Sequence, residues 1–224
     1  MFKSHVVEKL GVSGTKLEGI KNIIFDLGGV LISLNYNETI EQFNKLGFVD
    51  FERIYIQIKQ NRIFDLLETG KIPAQVFRNE LRKFHNHLSD RAIDHAWCTM
   101  IGDMPAVNIS LLKYVRSRYR TFLLSNTNII HIDYFIKYLH KTFGYDPLPE
   151  MFEHTYYSHE IGERKPLPES FNAVIRDAGI NASETMFIDD LKANIEGARA
   201  VGLLAYHLEN EEITNVFEIQ TEFI

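Results

Sequence analysis

Residues 23–32 read Ile23-Ile24-Phe25-Asp26-Leu27-Gly28-Gly29-Val30-Leu31-Ile32: one charge in a run of apolar residues and glycine. The run is too short and too uniformly apolar for an amphipathic helix. It suits a strand buried on both faces, as in a parallel sheet. Ile20 to Phe25 is then a strand that delivers Asp26 to its carboxyl end.

The same pattern returns twice. Thr121 to Leu124 ends in Ser125-Asn126, and Met186 to Ile188 ends in Asp189-Asp190. A helical pattern follows each, so the segments form βαβ units around a parallel sheet. A further strand is expected from Leu203 to Tyr206, after a helix over Ala193–Val201. Ligands of such sheets bind beyond the carboxyl ends of the strands, where all these polar residues fall.

Residues 36–104 differ. Apolar residues recur at three and four, as in Phe77, Leu81 and Phe84; Gly47 and Gly70 follow helical segments, and Pro73 and Ser89 precede others. The pattern predicts about four helices and no strand. The fold class is therefore α/β, a Rossmann-like parallel sheet core with a helical subdomain inserted after the first strand; proteins that resemble it in the motifs given below carry a C1-type helical cap at this place. Residues 20–35 and 105–224 form the core, 36–104 the inserted subdomain, and 1–19 an N-terminal extension without a secretory apolar region.

Bulk properties narrow the class. A length of 224 residues suits one domain with an insertion. Net charge is −6 and the basic residues are scattered, so no nucleic-acid footprint is present. No apolar run approaches the roughly 20 residues of a membrane span. One cysteine, Cys98, excludes an internal disulfide and fits a cytoplasmic protein, monomer or homodimer; Cys98 reads as a small buried hydrophobe.

The strand-end residues form a chemical set. Asp26 can act as a nucleophile or metal ligand. Ser125 can donate to a phosphoryl oxygen, and Lys165 can neutralise phosphate. Asp189 and Asp190 can complete a Mg²⁺ site. Each also has a plain alternative: Asp26 as a turn residue, Ser125-Asn126 and Asp189-Asp190 as helix caps, Lys165 as a surface lysine before a helix.

In this order, FDLGGVL (25–31), LLSNTN (123–128), GERKP (162–166) and FIDDLKANIEGARAVG (187–202) resemble the four motifs of the haloacid dehalogenase (HAD) superfamily. The wording is most similar to its alpha-glucose-1-phosphatase-like branch. The resemblance implies a Mg²⁺-dependent phosphatase acting on a small phosphorylated metabolite, a sugar phosphate by preference. Asp26 would attack phosphorus and form an aspartyl-phosphate. Mg²⁺ would be held by Asp26, the Gly28 carbonyl and Asp190, with Asp189 acting through a metal-bound water. Ser125 and the Asn126 N–H would bind the transferring oxygens, and Lys165 would bridge nucleophile and phosphoryl group.

One position departs from the pattern. Most superfamily phosphatases carry an acid–base aspartate two residues after the nucleophile, and here that position is Gly28. General acid–base assistance is worth about 10²–10⁴-fold. Three consequences compete: a preference for good leaving groups, an acid supplied from elsewhere, or a catalytically weak binding or regulatory protein. Asn35 cannot usefully supply the proton. Dehalogenation, a further alternative, needs no metal, and the acidic pair speaks against it. Beyond the motifs, Trp97 and the Phe64-Leu66-Leu67 cluster read as cap core, and His131 as a residue packed on a helix. Tyr36, Arg62 and Glu68 are candidates to face the substrate, and Asn194 to orient the metal site.

Overall fold

The computed structural model describes residues 19–60 and 62–217; the extension expected at 1–19 lies outside them except for Gly19. The chain opens with β1 (Asn22–Phe25), then runs through five helices: α1 (Tyr36–Lys45), α2 (Phe51–Gln60), α3 (Ile63–Glu68), α4 (Ala74–Arg82) and α5 (Asp90–Cys98). It returns by α6 (Ala106–Arg116) to β2 (Arg120–Ser125) and the long α7 (Ile129–Phe143). A short α8 (Leu148–Met151) leads to β3 (His154–Tyr157), α9 (Ser158–Ile161) and α10 (Pro168–Asp177). The chain closes with β4 (Thr185–Asp189), α11 (Lys192–Ala200), β5 (Leu204–His207) and α12 (Ile213–Val216).

All five strands pair in parallel, in the order β3-β2-β1-β4-β5. Alternation along each strand explains why the central strands are apolar between their ends. Ile23, Phe25, Leu123 and Ile188 pack on one face with Leu111 and Phe135. Ile24, Phe122, Leu124 and Phe187 pack on the other with Phe171 and Ile195. Both faces are covered, so no polar position is tolerated until the strand ends.

Three expectations are corrected. The inserted segment holds five helices rather than four, because the chain turns at Arg62 (φ 58°) and starts a separate short helix, α3. The strand β3 was not expected. Its sequence, His154-Thr155-Tyr156-Tyr157, begins polar because it is an edge strand, whose first residue is exposed. The last strand also starts one residue later than expected, at Leu204.

The inserted helices bury a core of their own, including Phe43, Phe51, Phe64, Phe77 and Trp97, with Ile130 of α7 joining it. The two passages into and out of this segment run side by side. Asn35 N–H donates to the Met100 carbonyl at 2.8 Å and Gly102 N–H to the Ser33 carbonyl at 2.9 Å, with Leu34 bridged to Ile101 between them. Leu34 thus sits in this paired stretch, against Gly28 of the loop that follows β1.

Candidate active site

The register of the three central strands gathers the polar residues. Phe25 pairs with Leu123 on one side and Ile188 on the other, so Asp26, the Leu124–Ser125 end and Asp189 lie at one sheet edge. Asp26 N–H donates to the Ile188 carbonyl at 3.0 Å, which fixes the turn after β1. One carboxylate oxygen each from Asp26, Asp189 and Asp190 lies within 4.8 Å of the others.

Lys165 reaches this cluster from the loop between α9 and α10. Its Nζ is 2.6 Å from Asp26 Oδ1 and 2.7 Å from Asp189 Oδ2, and the side chain is only 1% exposed. Asn126 holds the lysine in place through its backbone: Asn126 Nδ2 donates to the Lys165 carbonyl and Lys165 N–H donates to Asn126 Oδ1, both at 2.9 Å. An asparagine side chain that matches a peptide group in this way immobilises the loop at the residue that carries the charge. Ser125 is buried at the end of β2 and lines the cleft beside Asn126.

Asp189 is fixed from three sides. Oδ1 accepts from Leu191 N–H at 2.8 Å, Asn194 Nδ2 donates to both carboxylate oxygens at 3.0 Å, and Lys165 takes Oδ2. Asn194, one turn into α11, therefore orients this carboxylate directly. His207 at the end of β5 contacts the Asp190 carbonyl through Nε2 at 3.0 Å. The plain alternative, a cap of α7 by Ser125-Asn126, does not hold: Asn128 caps the helix, its Oδ1 accepting from Ile130 and His131 N–H at 3.1 Å.

Three carboxyls facing one ammonium leave an excess of negative charge. Burial pushes the Asp26 carboxyl up to about 7, against the pull of Lys165 and with a further push from Asp189. Burial, then Asp189, also raises Asp190. For Lys165, burial opposes the charge, but Asp26 and Asp189 outweigh it and hold the ammonium above its usual range. An oxygen-seeking divalent cation supplies the missing charge, so this donor set fits Mg²⁺.

The two glycines after Asp26 have different reasons. Gly29 has φ +79° and lies so close to Asp190 that a Cβ would overlap its carboxylate. It lets the acidic loop approach β1. Gly28 lies under the paired stretch that carries Leu34: a Cβ there would meet the tip of the Leu34 side chain, Cδ1, at 2.7 Å, so an aspartate would require that side chain to shift.

A cleft of about 230 Å³ runs from Gly28, Ser125 and Asn126 to the inserted helices, where Tyr36, Glu68 and Trp97 line it. Of the three candidates to face a substrate, Tyr36 and Glu68 line this cleft. Arg62 does not line this cleft; it is exposed and lies 3.6 Å from Asp65 as an ion pair. His131 is packed as expected, stacked on Trp97 at 5.1 Å with its Nε2 against the Trp97 carbonyl at 3.2 Å. Burial lowers it to about 4. Two residues escaped the sequence reading. Arg164 precedes Lys165 within the quoted GERKP motif and pairs with Asp65 and Glu68 of α3, linking the core to the inserted helices. Leu34 carried no chemical signal at all.

Known proteins share this arrangement. The sequence model described as "Hydrolase: haloacid dehalogenase-like hydrolase" matches residues 20–202. A D-ribitol-5-phosphate phosphatase of Bacteroides thetaiotaomicron is 31% identical over 192 residues, spanning 85% of this chain and 93% of the relative. A HAD family enzyme of the same organism, solved in complex with magnesium and inorganic phosphate, is 39% identical. It superposes with a TM-score of 0.80 over 88% of this chain and 99% of that one. A HAD-like family hydrolase of Porphyromonas gingivalis is 34% identical, with a TM-score of 0.78 over 87% and 94%. A profile match across most of the chain, a curated relative above 30% identity and near-complete structural overlap agree: the chain belongs to the haloacid dehalogenase-like hydrolase family.

Proposed function

We propose that this hydrolase is a Mg²⁺-dependent phosphatase of a small phosphorylated metabolite, a sugar phosphate by preference. The observation that carries the reading is the Asp26–Lys165–Asp189–Asp190 cluster at the carboxyl edge of the sheet, opening into a cleft. Relatives that are a sugar-alcohol phosphate phosphatase and a magnesium–phosphate complex support it.

In this reading one Asp26 oxygen attacks phosphorus, the bond to the leaving oxygen breaks, and the phosphoryl group moves onto Asp26. Water then attacks phosphorus, the Asp26–phosphorus bond breaks, and phosphate leaves. Ser125 and the Asn126 N–H receive the transferring oxygens. Lys165, already 2.6 Å from Asp26, neutralises charge on the nucleophile and on the arriving phosphate. Asn126 and Asn194 hold Lys165 and Asp189 and act through them. Mg²⁺, held by Asp26, the Gly28 carbonyl and Asp190, with Asp189 reaching it through water, would supply the charge neutralisation that lets a phosphate dianion meet a carboxylate. Residues 36–104 act as the cap that closes the cleft against water, over a core of 20–35 and 105–224. The chain works in the cytoplasm as a monomer or homodimer.

D-ribitol 5-phosphate is an ester of a primary alcohol, a poor leaving group. If this chain takes a similar substrate, the proton that position 28 cannot give has another source. A second reading, a catalytically weak phosphometabolite-binding protein, is favoured by one observation: position 28 is glycine and has no side chain to act as acid or base. Phosphate release from sugar phosphates, with and without Mg²⁺, separates the two. The phosphatase reading expects Mg²⁺-dependent release that Asp26→Asn removes; equal release from both proteins contradicts it.

A further inference from the structure

Position 28 carries no acid, so an alkoxide leaving group needs a proton from another wall of the cleft. Most titratable side chains that line the cleft are committed elsewhere. Asp65 and Glu68 face Arg164 as ion pairs, and a guanidinium does not release its proton. His131 is held at both ring nitrogens, Nδ1 lying 3.2 Å from Asn128 Nδ2 and Nε2 3.2 Å from the Trp97 carbonyl. Tyr55 and Lys59 stand on α2, which packs against α3 at the far end of the cleft. Tyr36 remains.

The chain places the Tyr36 phenol beside the empty position. Side chains alternate sides along extended backbone. Leu34 meets Gly28 and lines the cleft, and Tyr36, two residues on, lines it next. Asn35 between them caps α1 instead, its Oδ1 accepting from Glu38 N–H at 3.2 Å, while its own N–H bond to the Met100 carbonyl fixes the start of the helix. Among the described residues the Tyr36 hydroxyl makes no hydrogen bond, and the side chain is 55% exposed, so it is free to meet a bound ester. Partial burial in the cleft raises the phenol, and Tyr55, Glu68, Asp190 and Asp26 push it the same way. The hydroxyl therefore feels the two carboxylates of the phosphoryl end as well as Glu68. Tyr55, by contrast, feels the charges of Glu68 and Arg164.

We propose that Tyr36 is the catalytic acid that position 28 does not supply, donating its hydroxyl proton to the leaving oxygen of the phosphate ester. The proposal rests on the phosphatase reading above. As Asp26 bonds to phosphorus, the bond from phosphorus to the leaving oxygen breaks; that oxygen takes the phenolic proton and departs as an alcohol. The phenolate then takes one proton from the water that attacks phosphorus. The water oxygen joins phosphorus, Asp26 is released, and Tyr36 is neutral again. A phenol keeps its proton near neutral pH and yields it only to a stronger base, which a primary alkoxide is. A nitrophenolate is a weaker base than tyrosinate. It leaves without the proton, and Tyr36, still protonated, cannot then serve as a base.

The test uses the full chain with Mg²⁺ and a matched pair of esters, p-nitrophenyl phosphate and p-nitrobenzyl phosphate. They are close in size and differ in the leaving oxygen, a phenolate in one and a primary alkoxide in the other. The wild type is expected to release phosphate from both. In Tyr36→Phe the ratio of kcat/KM, p-nitrophenyl over p-nitrobenzyl, is expected to rise about 10²-fold or more, since an acid assists only the alkoxide. A ratio that matches the wild type, even with both rates lowered, overturns the proposal, because a structural or binding role moves the two esters together. A rise in Tyr55→Phe that Tyr36→Phe does not show overturns it as well. Wild-type release from p-nitrophenyl phosphate alone would mean that no group protonates an alkoxide; that result overturns this proposal and leaves the phosphatase reading standing. Release from neither ester overturns the phosphatase reading and this proposal with it.

Discussion

The two ends of one cleft are built on opposite principles. At the sheet edge Asp26, Asp189 and Lys165 hold one another: Asp189 is bonded by Leu191, Asn194 and Lys165, Lys165 also meets Asp26 at 2.6 Å, and Asn126 pins the lysine's backbone. At the other end Glu68 Oε2, Trp97 Nε1 and Arg164 Nε are buried without a hydrogen bond, and Glu68 meets Arg164 as an ion pair at 3.1 Å. In the phosphatase reading the strand-end cluster meets the group that every phosphate ester shares, and the far end of the cleft meets the part that differs between esters.

The comparison is most easily broken at the bonded end. Asp26→Asn removes the nucleophile, and steady-state phosphate release is expected to fall at least about 10³-fold. A smaller loss would mean that water attacks directly. Lys165→Met leaves Asp26 and Asp189 buried without their cation. Breaking a buried pair in this way costs about 3–5 kcal/mol, to be read from denaturant unfolding without Mg²⁺, with part of the loss recovered when Mg²⁺ is added. Unfolding midpoints that match the wild type without metal would show that the lysine is not compensating these carboxylates.

The next variant probes the boundary between the ends. Gly28→Asp is expected to destabilise by about 1–3 kcal/mol, since its Cβ would crowd Leu34. Gly28→Asp combined with Leu34→Ala frees that space. It is expected to regain stability and to speed hydrolysis of primary-alcohol phosphates by up to about 10²-fold through the added acid–base group. If the single variant is as stable as the wild type, Leu34 is not what excludes the aspartate.

The smallest effect is a pH dependence at the cap side. His131, lowered to about 4 by burial, stays neutral in the folded chain while the unfolded chain takes up a proton below about 6.5. The unfolded state then binds more protons, so stability falls as pH drops from about 6.5 towards 4. The His131 contribution is expected to be about 2 kcal/mol, visible as a steeper acid limb in the wild type than in His131→Gln. Parallel pH profiles would contradict it.

The bonded end was legible in the sequence and the unbonded end was not, for a physical reason. Buried parallel strands must be apolar, so the first polar residue after each run announces the sheet edge: Asp26, Ser125 and Asp189 stand out by contrast. Lys165 and Asp190 follow from their motifs. The strand β3 gave no such contrast, because an edge strand tolerates His154 and Thr155. Asn126 was expected to act through its N–H, but its side chain does the holding, through a partner 39 residues away. Leu34, Trp97 and Arg164 matter through neighbours brought together by the paired stretch and by α3. Their types, an aliphatic, an aromatic and a surface-prone cation, have ordinary explanations at each position.

The central claim is that Asp26 carries the phosphoryl group while position 28 offers no base to speed its release. With an ester whose leaving group needs no acid, such as p-nitrophenyl phosphate, formation is unhindered while hydrolysis lacks its base, so the aspartyl-phosphate should accumulate. The direct measurement is rapid acid quench of the protein with Mg²⁺ and substrate, followed by mass analysis of the peptide that contains Asp26. The account predicts a phosphoryl adduct on that peptide at steady state, absent without Mg²⁺ and absent in Asp26→Asn. Sustained phosphate release with no adduct on Asp26 at any quench time would contradict it.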